Sequence, residues 1–284
     1  MKYFYLIGNP TKCGTEKLAG QITAYLKAKG AVCWGSPQRR ELESRGHGYT
    51  DPGDIPEETE CVITLGGDGT LIQAARDLVS CRLPMIGINM GTMGYLTQIA
   101  RGEDYMSMLD ALLEDHYRLE RRMMLDGIIR GSKGEKRGIA LNEIVLTRQD
   151  VMHPLKLDVY VNGVFLNQYG ADGMIVATPT GSTAYNLSAG GPIVTPAARL
   201  MALTPICSHS LYARSIILSN QDVVTIRPRQ TGGQKQMAVF DGDQTLGLGE
   251  LESLEICESE SFTTLIQLKN ISFLENLRSK MNPI

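Results

Sequence analysis

The sequence predicts an α/β domain with a mostly parallel sheet, then a β-rich, sandwich-like domain, then a tail that packs back on the first domain. Three observations carry this expectation. Up to residue 117, short β-branched runs alternate with amphipathic helical stretches, the pattern of a parallel sheet. From 118 to 262 the texture changes to strands and turns, with a strong hairpin signal at Asn162-Gly163. From 263 to 284 the chain opens strand-like and closes as a short amphipathic helix, with Phe273, Leu274 and Leu277 on one side. That tail is too short to enclose a core of its own.

The elements follow in order. Residues 3–8 read as a first strand. "TEKLAGQITAYLKAKG" has helical spacing, with Leu18, Ile22, Tyr25 and Leu26 on one face, Thr15 as the cap and Gly30 as the stop. A strand at 31–34 follows, its Trp34 expected in the core, and 35–59 reads as a surface loop. "CVITL" (61–65) and "LPMIGIN" suit buried parallel strands. "LIQAARDLV" reads as a helix, as does "EDYMSMLDALLEDH" with Tyr105, Leu109, Leu112 and Leu113 on one side. In the second domain "ALNEIVLTR", "MIVATPT", "SIILS", "DVVTIRP", "KQMAVFDGD" and "LESLEIC" read as strands, and "KLDVYVNGVFLNQY" as a hairpin. "TGSTAYNLSAGGPIVTPAARLMALTP" reads as a long non-strand insert.

Composition narrows the function classes. The 284 residues are 43% hydrophobic and 21% charged, with a formal net charge of −3. No basic excess is available to neutralise a nucleic-acid backbone. No apolar run approaches the roughly 20 residues that span a bilayer, and "MKYFYLIGNP" suits a strand better than a signal peptide. The six cysteines are scattered without a Cys-x-x-Cys pair, which fits reduced thiols in the cytoplasm rather than a disulfide framework or metal site.

Five segments carry chemistry. Gly66-Gly67-Asp68-Gly69-Thr70 joins a buried strand to a helix. Glycines there let backbone N–H groups face outward at a helix N-terminus, so Gly66, Gly67, Gly69 and Thr70 are candidate phosphate ligands. The segment is neither a Walker A loop nor Gly-x-Gly-x-x-Gly. Asp68 either caps the helix, holds a metal ion, or accepts a proton from an attacking hydroxyl. "GINMGTMGYL" (87–96) is a second glycine-rich strand end, a plain loop or a ligand contact. Asn142-Glu143 lies among apolar residues, so one side chain is either buried, facing a cleft that suits ribose hydroxyls, or solvated on an edge strand. The stretch 170–196 crowds hydroxyls around glycines and prolines, with Asp172 in a turn and Tyr185 offering a flat face. It is either a long structural loop or a nucleoside-binding surface. "FDGDQ" (240–244) is a hairpin turn whose Asp241, Asp243 and Gln244 could reach a ligand, and His153 is a surface histidine or a phosphate partner.

Taken in order, "LGGDGTLIQAAR", "PMIGINMGTMGYL", "LNEIVLTR", "DGMIVATPTGSTAYNLSAGGPIVTP" and "FDGDQ" resemble the NAD kinase family over most of the chain. The first element is shared with lipid kinases of the diacylglycerol and sphingosine type; the Asn-Glu and Thr-Pro-Thr-Gly-Ser-Thr-Ala-Tyr elements are more specific. The resemblance implies phosphorylation of the 2′-hydroxyl of the adenosine ribose of NAD by ATP, escorted by a divalent cation such as Mg²⁺. It implies that Asp68 is the catalytic proton acceptor and that Gly69 lies against the dinucleotide. Asn142 and Glu143 would contact NAD, and His153 falls where the family often touches ligand. Asp172, Thr183, Ala184, Tyr185 and Ser188 would line the NAD pocket, and Gln244 would close it. A homo-oligomer is implied as well, with the site partly built at a subunit contact. One departure stands out: many relatives carry Arg where this chain has Gly170, so a phosphate contact is missing or comes from elsewhere. The other readings are a lipid kinase, which the hydroxyl-rich 178–188 segment opposes, and a silent dinucleotide sensor, which the presence of Asp68 opposes.

Overall fold

The computed structural model describes residues 1–35, 50–91, 94–99, 104–132, 134–149, 153–209, 213–229, 235–249, 251–269 and 271–281. Positions 36–49 of the expected surface loop, and Thr92-Met93 of the second glycine-rich segment, lie outside the described residues. The chain divides into two compact units, 1–122 with 262–284, and 123–261.

In the first unit four parallel strands stand in the order β2 (Val32–Gly35), β1 (Tyr3–Gly8), β3 (Cys61–Gly66), β4 (Pro84–Asn89). Every residue of β3 is buried, which is why its sequence is a continuous apolar run rather than an alternating one. Helices α1 (Thr15–Ala28), α2 (Asp68–Asp77) and α3 (Tyr105–Leu113) cover the sheet, and Ile22, Leu26, Leu109 and Leu112 join Phe4, Ile63, Leu65 and Ile86 in one core. Thr15 does not cap α1. Gly14 does, with a left-handed backbone (φ 87°) that a β-branched residue avoids, and the Thr15 hydroxyl donates to the Lys12 carbonyl at 2.8 Å. Trp34 is half-buried, stacked on Tyr3 with ring centroids 6.0 Å apart, instead of lying in the core.

The second unit is a sandwich. One layer is antiparallel, in the order β12 (Ile216–Ser219), β11 (Leu200–Ile206), β10 (Gly173–Ala177), β7 (Glu143–Arg148), β14 (Gln236–Phe240), β15 (Gln244–Leu248). The other holds β13 (Val224–Pro228), the hairpin β8 (Leu155–Val161) with β9 (Val164–Ala171), and the hairpin β5 (Arg118–Gly131) with β6 (Gly134–Ala140). Ile144, Leu146, Met174, Val176 and Leu203 face Leu157, Val159, Val224 and Ile226 in a shared core, while Val145, Ile175 and Ala177 form a separate cluster. That division is the period-2 alternation of a strand. The hairpin turn is as expected, Asn162 and Gly163 both taking positive φ (52° and 77°). Gly127 and Gly138 stand opposite each other on β5 and β6, and the Phe240 ring occupies the space their side chains would fill.

The expected fold class is borne out, with three local corrections. The 180–205 insert is not wholly irregular, because β11 occupies its end. Pro205 argues against a strand there, yet β12 pairs with β11 only as far as Leu203↔Ile216, so no ladder is lost at the proline on that side. "ALNEIVLTR" is not one strand: it breaks at Leu141-Asn142 between β6 and β7. In the tail, β16 (Ser253–Gln267) pairs with β13 through Leu254–Ile256 and with β4 through Thr264–Leu265, and α5 (Phe273–Met281) follows. Phe273 and Leu277 of the expected apolar face are half-buried, but Leu274 is 71% exposed and does not share it. Among the described residues no helix is long and apolar enough to cross a membrane.

Candidate active site

In the first unit, β3 ends at Gly66 and α2 begins at Asp68. Thr70 folds back over Gly66 so tightly that a Cβ there would lie 2.7 Å from the Thr70 Cβ. Gly67 and Gly69 have open space around them. The Thr70 hydroxyl accepts from Asn9 Nδ2 at 3.2 Å and the residue is largely buried, so it braces the turn. Asn9 is held by its own backbone bond to Leu65 and by Thr11 on its Oδ1.

Asp68 does not cap α2; Gly67 occupies that position and no side chain caps the helix. The Asp68 carboxylate turns to the second glycine-rich segment. It accepts the backbone N–H groups of Tyr95 (2.5 Å), Leu96 (3.2 Å) and Thr97 (3.1 Å), and the Thr97 hydroxyl (3.2 Å). A Cβ at Gly94 would collide with this carboxylate. Thr97 Oγ1 also accepts from Asn89 Nδ2 at 3.2 Å and from Gly94 N at 3.3 Å. The two glycine-rich segments are thus one construction around a carboxylate: three of the four bonds fall on Asp68 Oδ1 and one, from Tyr95 N, on Oδ2, which keeps an open lone-pair site.

In the second unit Asp241 takes a left-handed backbone (φ 51°) and turns its carboxylate onto residues 141–143. It accepts from the N–H of Leu141 (2.9 Å), Asn142 (2.7 Å) and Glu143 (3.2 Å). These bonds replace a strand ladder, which is why the strand breaks. From the other side Thr178 N donates to the Asn142 carbonyl (2.8 Å), and its hydroxyl donates to the Leu141 carbonyl (2.7 Å). Gly181 is pressed against the Asn142 backbone with no room for a side chain.

The backbone is therefore satisfied, but the two side chains are not. Asn142 is 8% exposed and Glu143 5%, and Asn142 Oδ1 and Glu143 Oε2 are buried without a hydrogen-bond partner among the described residues. Burial pushes the Glu143 carboxyl up to about 8, and the nearby Asp241 charge adds to it. An orphaned buried polar atom costs about 1–3 kcal/mol, so two together call for a partner from outside the chain.

The 170–196 segment is pinned from within. The Ser182 hydroxyl donates to the Pro179 carbonyl (2.7 Å) and accepts from Val194 N (3.0 Å). Asn186, fully buried, donates to the carbonyls of Ser182 and Pro192 and accepts from the Thr204 hydroxyl (2.7 Å). Those contacts leave Thr183 and Ala184 half-buried, Tyr185 45% exposed and Ser188 exposed around the short helix α4 (Tyr185–Ser188). Asp172 forms an ion pair with Arg148 at 2.9 Å, and Arg148 Nη1 reaches the carbonyl of the exposed His153 at 3.4 Å. A cation thus stands beside Asp172 although position 170 is glycine. Gln244 is half-buried at the start of β15, opposite Phe240 in register, and Asp243 is exposed in the turn.

Arg148, Thr97 and Asn186 carry no local sequence signal, because their partners are remote. Among the described residues no three His, Cys, Asp or Glu side chains converge on a possible metal position. Among these residues no donor set for a resident metal ion is assembled.

Residues 49–117 match the family model of the ATP-NAD kinase N-terminal domain, and residues 141–268 that of the C-terminal domain. The NAD kinase of Lachnospira eligens is 43% identical over 99% of this chain and 100% of its own length. The chain belongs to the NAD kinase family. It is accordingly an enzyme, an ATP-dependent phosphotransferase of NAD kinase type. Two solved structures share the fold: yeast NADH kinase in complex with NADH (TM-score 0.84, 23% identity, 99% of this chain and 87% of that one) and an NAD kinase from Archaeoglobus fulgidus with ATP (TM-score 0.78, 24% identity, 99% of each).

Proposed function

We propose that this kinase seats the adenosine ribose of NAD on Asn142 and Glu143 and transfers the γ-phosphoryl group of ATP to its 2′-hydroxyl, giving NADP and ADP. The observation that carries the reading is the pair of buried, unpartnered oxygens, Asn142 Oδ1 and Glu143 Oε2. Two ribose hydroxyls supply the missing donors. Thr183, Ala184, Tyr185 and Ser188 lie on the outward side of the pinned segment, with Asp172, His153 and Gln244 as further contacts in the pocket. Arg148, paired with Asp172, takes the role of the basic residue that position 170 lacks.

The open backbone at Gly67 and Gly69 and the N-terminus of α2 would take the phosphates. Mg²⁺ arrives as part of the substrate MgATP. The O2′–Pγ bond forms as the bond from Pγ to the bridging oxygen of ADP breaks, and the proton of the 2′-hydroxyl passes to Asp68. Such transfers have loose transition states, so positioning and charge neutralisation dominate. Asp68 Oδ2, which accepts only the Tyr95 N–H, keeps a lone pair for that proton, general-base help worth about 10²–10⁴-fold. The free cysteines, two of them exposed, support a reducing, cytoplasmic setting, and the family likeness supports a homo-oligomer.

Incubation of the purified protein with MgATP and NAD should yield NADP, while diacylglycerol and sphingosine remain untouched. Lipid phosphorylation without NADP would overturn the reading.

A further inference from the structure

The helix α5 has no buried residue, yet one of its faces is covered. Phe273, Asn276, Leu277 and Lys280 are half-buried, at the i, i+3, i+4, i+7 spacing of a single face, while Leu274, Ser279 and Met281 are exposed. Two polar contacts from that face converge on Tyr95. Asn276 Nδ2 donates to the Tyr95 carbonyl at 3.4 Å, and Lys280 Nζ lies 5.3 Å from the centre of the Tyr95 ring. Ser272 and Glu275 cap the helix start: Ser272 N donates to Glu275 Oε2 (2.8 Å) and Glu275 N donates to the Ser272 hydroxyl (3.2 Å). Tyr95 is the residue whose own N–H donates to Asp68 at 2.5 Å. One peptide segment is therefore gripped on one side by α5 and on the other by Asp68.

We infer that α5 is a positioning element for the phosphoryl transfer, with Asn276 and Lys280 holding Tyr95 so that the 95–97 backbone orients the Asp68 carboxylate. This rests on the reading of Asp68 as the group that meets the 2′-hydroxyl. The physical basis is that Asp68 has no cap bond of its own to fix it; its direction is set by the N–H groups of Tyr95, Leu96 and Thr97. Thr97 is anchored to Asn89 at the end of β4. Tyr95 has a described contact on its carbonyl and one on its ring, and both come from α5. Loosening α5 would leave one end of the three-residue cradle fixed and free the other.

The test is a double-mutant cycle on the full chain. Asn276→Ala with Lys280→Ala removes both grips from a surface helix. Its kcat should fall about three- to tenfold, the combined scale of one hydrogen bond and one exposed cation–π contact, with KM for NAD and ATP within twofold. In an Asn276→Ala background Lys280→Arg, which keeps a cation over the ring, should retain part of the activity that Lys280→Ala loses. In an Asp68→Asn background the same double change should have no further effect on kcat. Four outcomes bear on the proposal. A loss confined to the Asp68 background supports it. A severe defect in Asp68→Asn with an unaltered Asn276→Ala, Lys280→Ala protein overturns the coupling and leaves the active-site reading standing. An equal loss in both backgrounds overturns it too, since α5 would then act without Asp68. A fully active Asp68→Asn protein removes the catalytic reading and the coupling together.

Discussion

The carboxylate of Asp241 sits 2.7 Å from the backbone nitrogen of Asn142, a residue 99 positions away in the chain. With its bonds to Leu141 and Glu143 it holds a three-residue bend that no strand ladder supports. Asp241→Ala would orphan three buried N–H groups. Stability should fall by on the order of 2–4 kcal/mol, and KM for NAD should rise at least tenfold while KM for ATP stays nearly constant. Urea unfolding and steady-state kinetics would check both, and an unchanged KM for NAD would remove Asp241 from the support of the site.

Glu143→Ala deletes one of the two unpartnered oxygens. NAD affinity should fall by one to two decades, the scale of a lost hydrogen bond to a buried polar group. The unliganded variant should unfold at the same or a higher temperature, because a buried oxygen without a partner has gone. Calorimetry and thermal melts on the same sample read the two effects, which have opposite signs only if the oxygen belongs to the ligand.

Stability should depend on pH through the same residue. The Glu143 carboxyl titrates at about 8 in the native protein against a reference of 4.5, because burial disfavours the charged form and Asp241 adds to this. Between those values the folded protein keeps a proton that the unfolded chain has released. Its contribution is therefore fully present below pH 4.5 and is lost as pH rises through 8, at up to about 1.4 kcal/mol per pH unit. Glu143→Gln should flatten that slope. Denaturant unfolding at pH 5, 6.5 and 8 on both proteins gives the comparison, and parallel curves would contradict the buried carboxyl.

Asp68→Asn distinguishes chemistry from construction. The amide keeps one acceptor oxygen but sets a donor against the N–H groups of the 95–97 segment. The melting temperature should drop by a few degrees, and kcat should fall about 100-fold or more with NAD affinity little changed. Retained kcat alongside a lowered melting temperature would make Asp68 a brace and nothing else.

Arg148→Ala removes the cation beside Asp172. KM for NAD should rise by about five- to fiftyfold, the range of a hydrogen bond to a charged group. Position 170 has open space around its Cα, so Gly170→Arg can be added without a clash. The double variant should recover part of the affinity, and failure of both changes to alter KM would place no phosphate contact at either site.

Much of the architecture was legible because it is local. The fully buried β3, the α1 face of Ile22 and Leu26 and the Asn162-Gly163 turn each follow from residue spacing within a few positions. The Gly66–Thr70 turn was recognisable for the same reason. What the sequence concealed were polar partners separated by long stretches of chain. Nothing near Asn142 announces that Asp241 will replace its ladder, so it read as part of a strand. Nothing near Asp68 announces the N–H groups of 95–97, so a helix cap was the natural alternative. Arg148 looked like the end of a strand until the fold brought it to Asp172. β11 went unseen at the end of the 180–205 stretch, which read as a single insert, because its pairing partners β10 and β12 lie outside that stretch.

The pairing of Gly127 with Gly138 reaches further than the core it belongs to. The Phe240 ring drops into the notch left by two absent side chains, and a Cβ on either glycine would come within 2.6 or 2.7 Å of it. The next residue is Asp241. The ring thus works as a dowel: it locks how far β14 can slide along its neighbours and so delivers the carboxylate to its place. A protein engineer who grafted the turn and the Asn-Glu bend onto another sandwich, but not the notch, would transplant the lock without its keyhole. The same reasoning bears on drift among relatives, in which these three positions should change together or stay as they are.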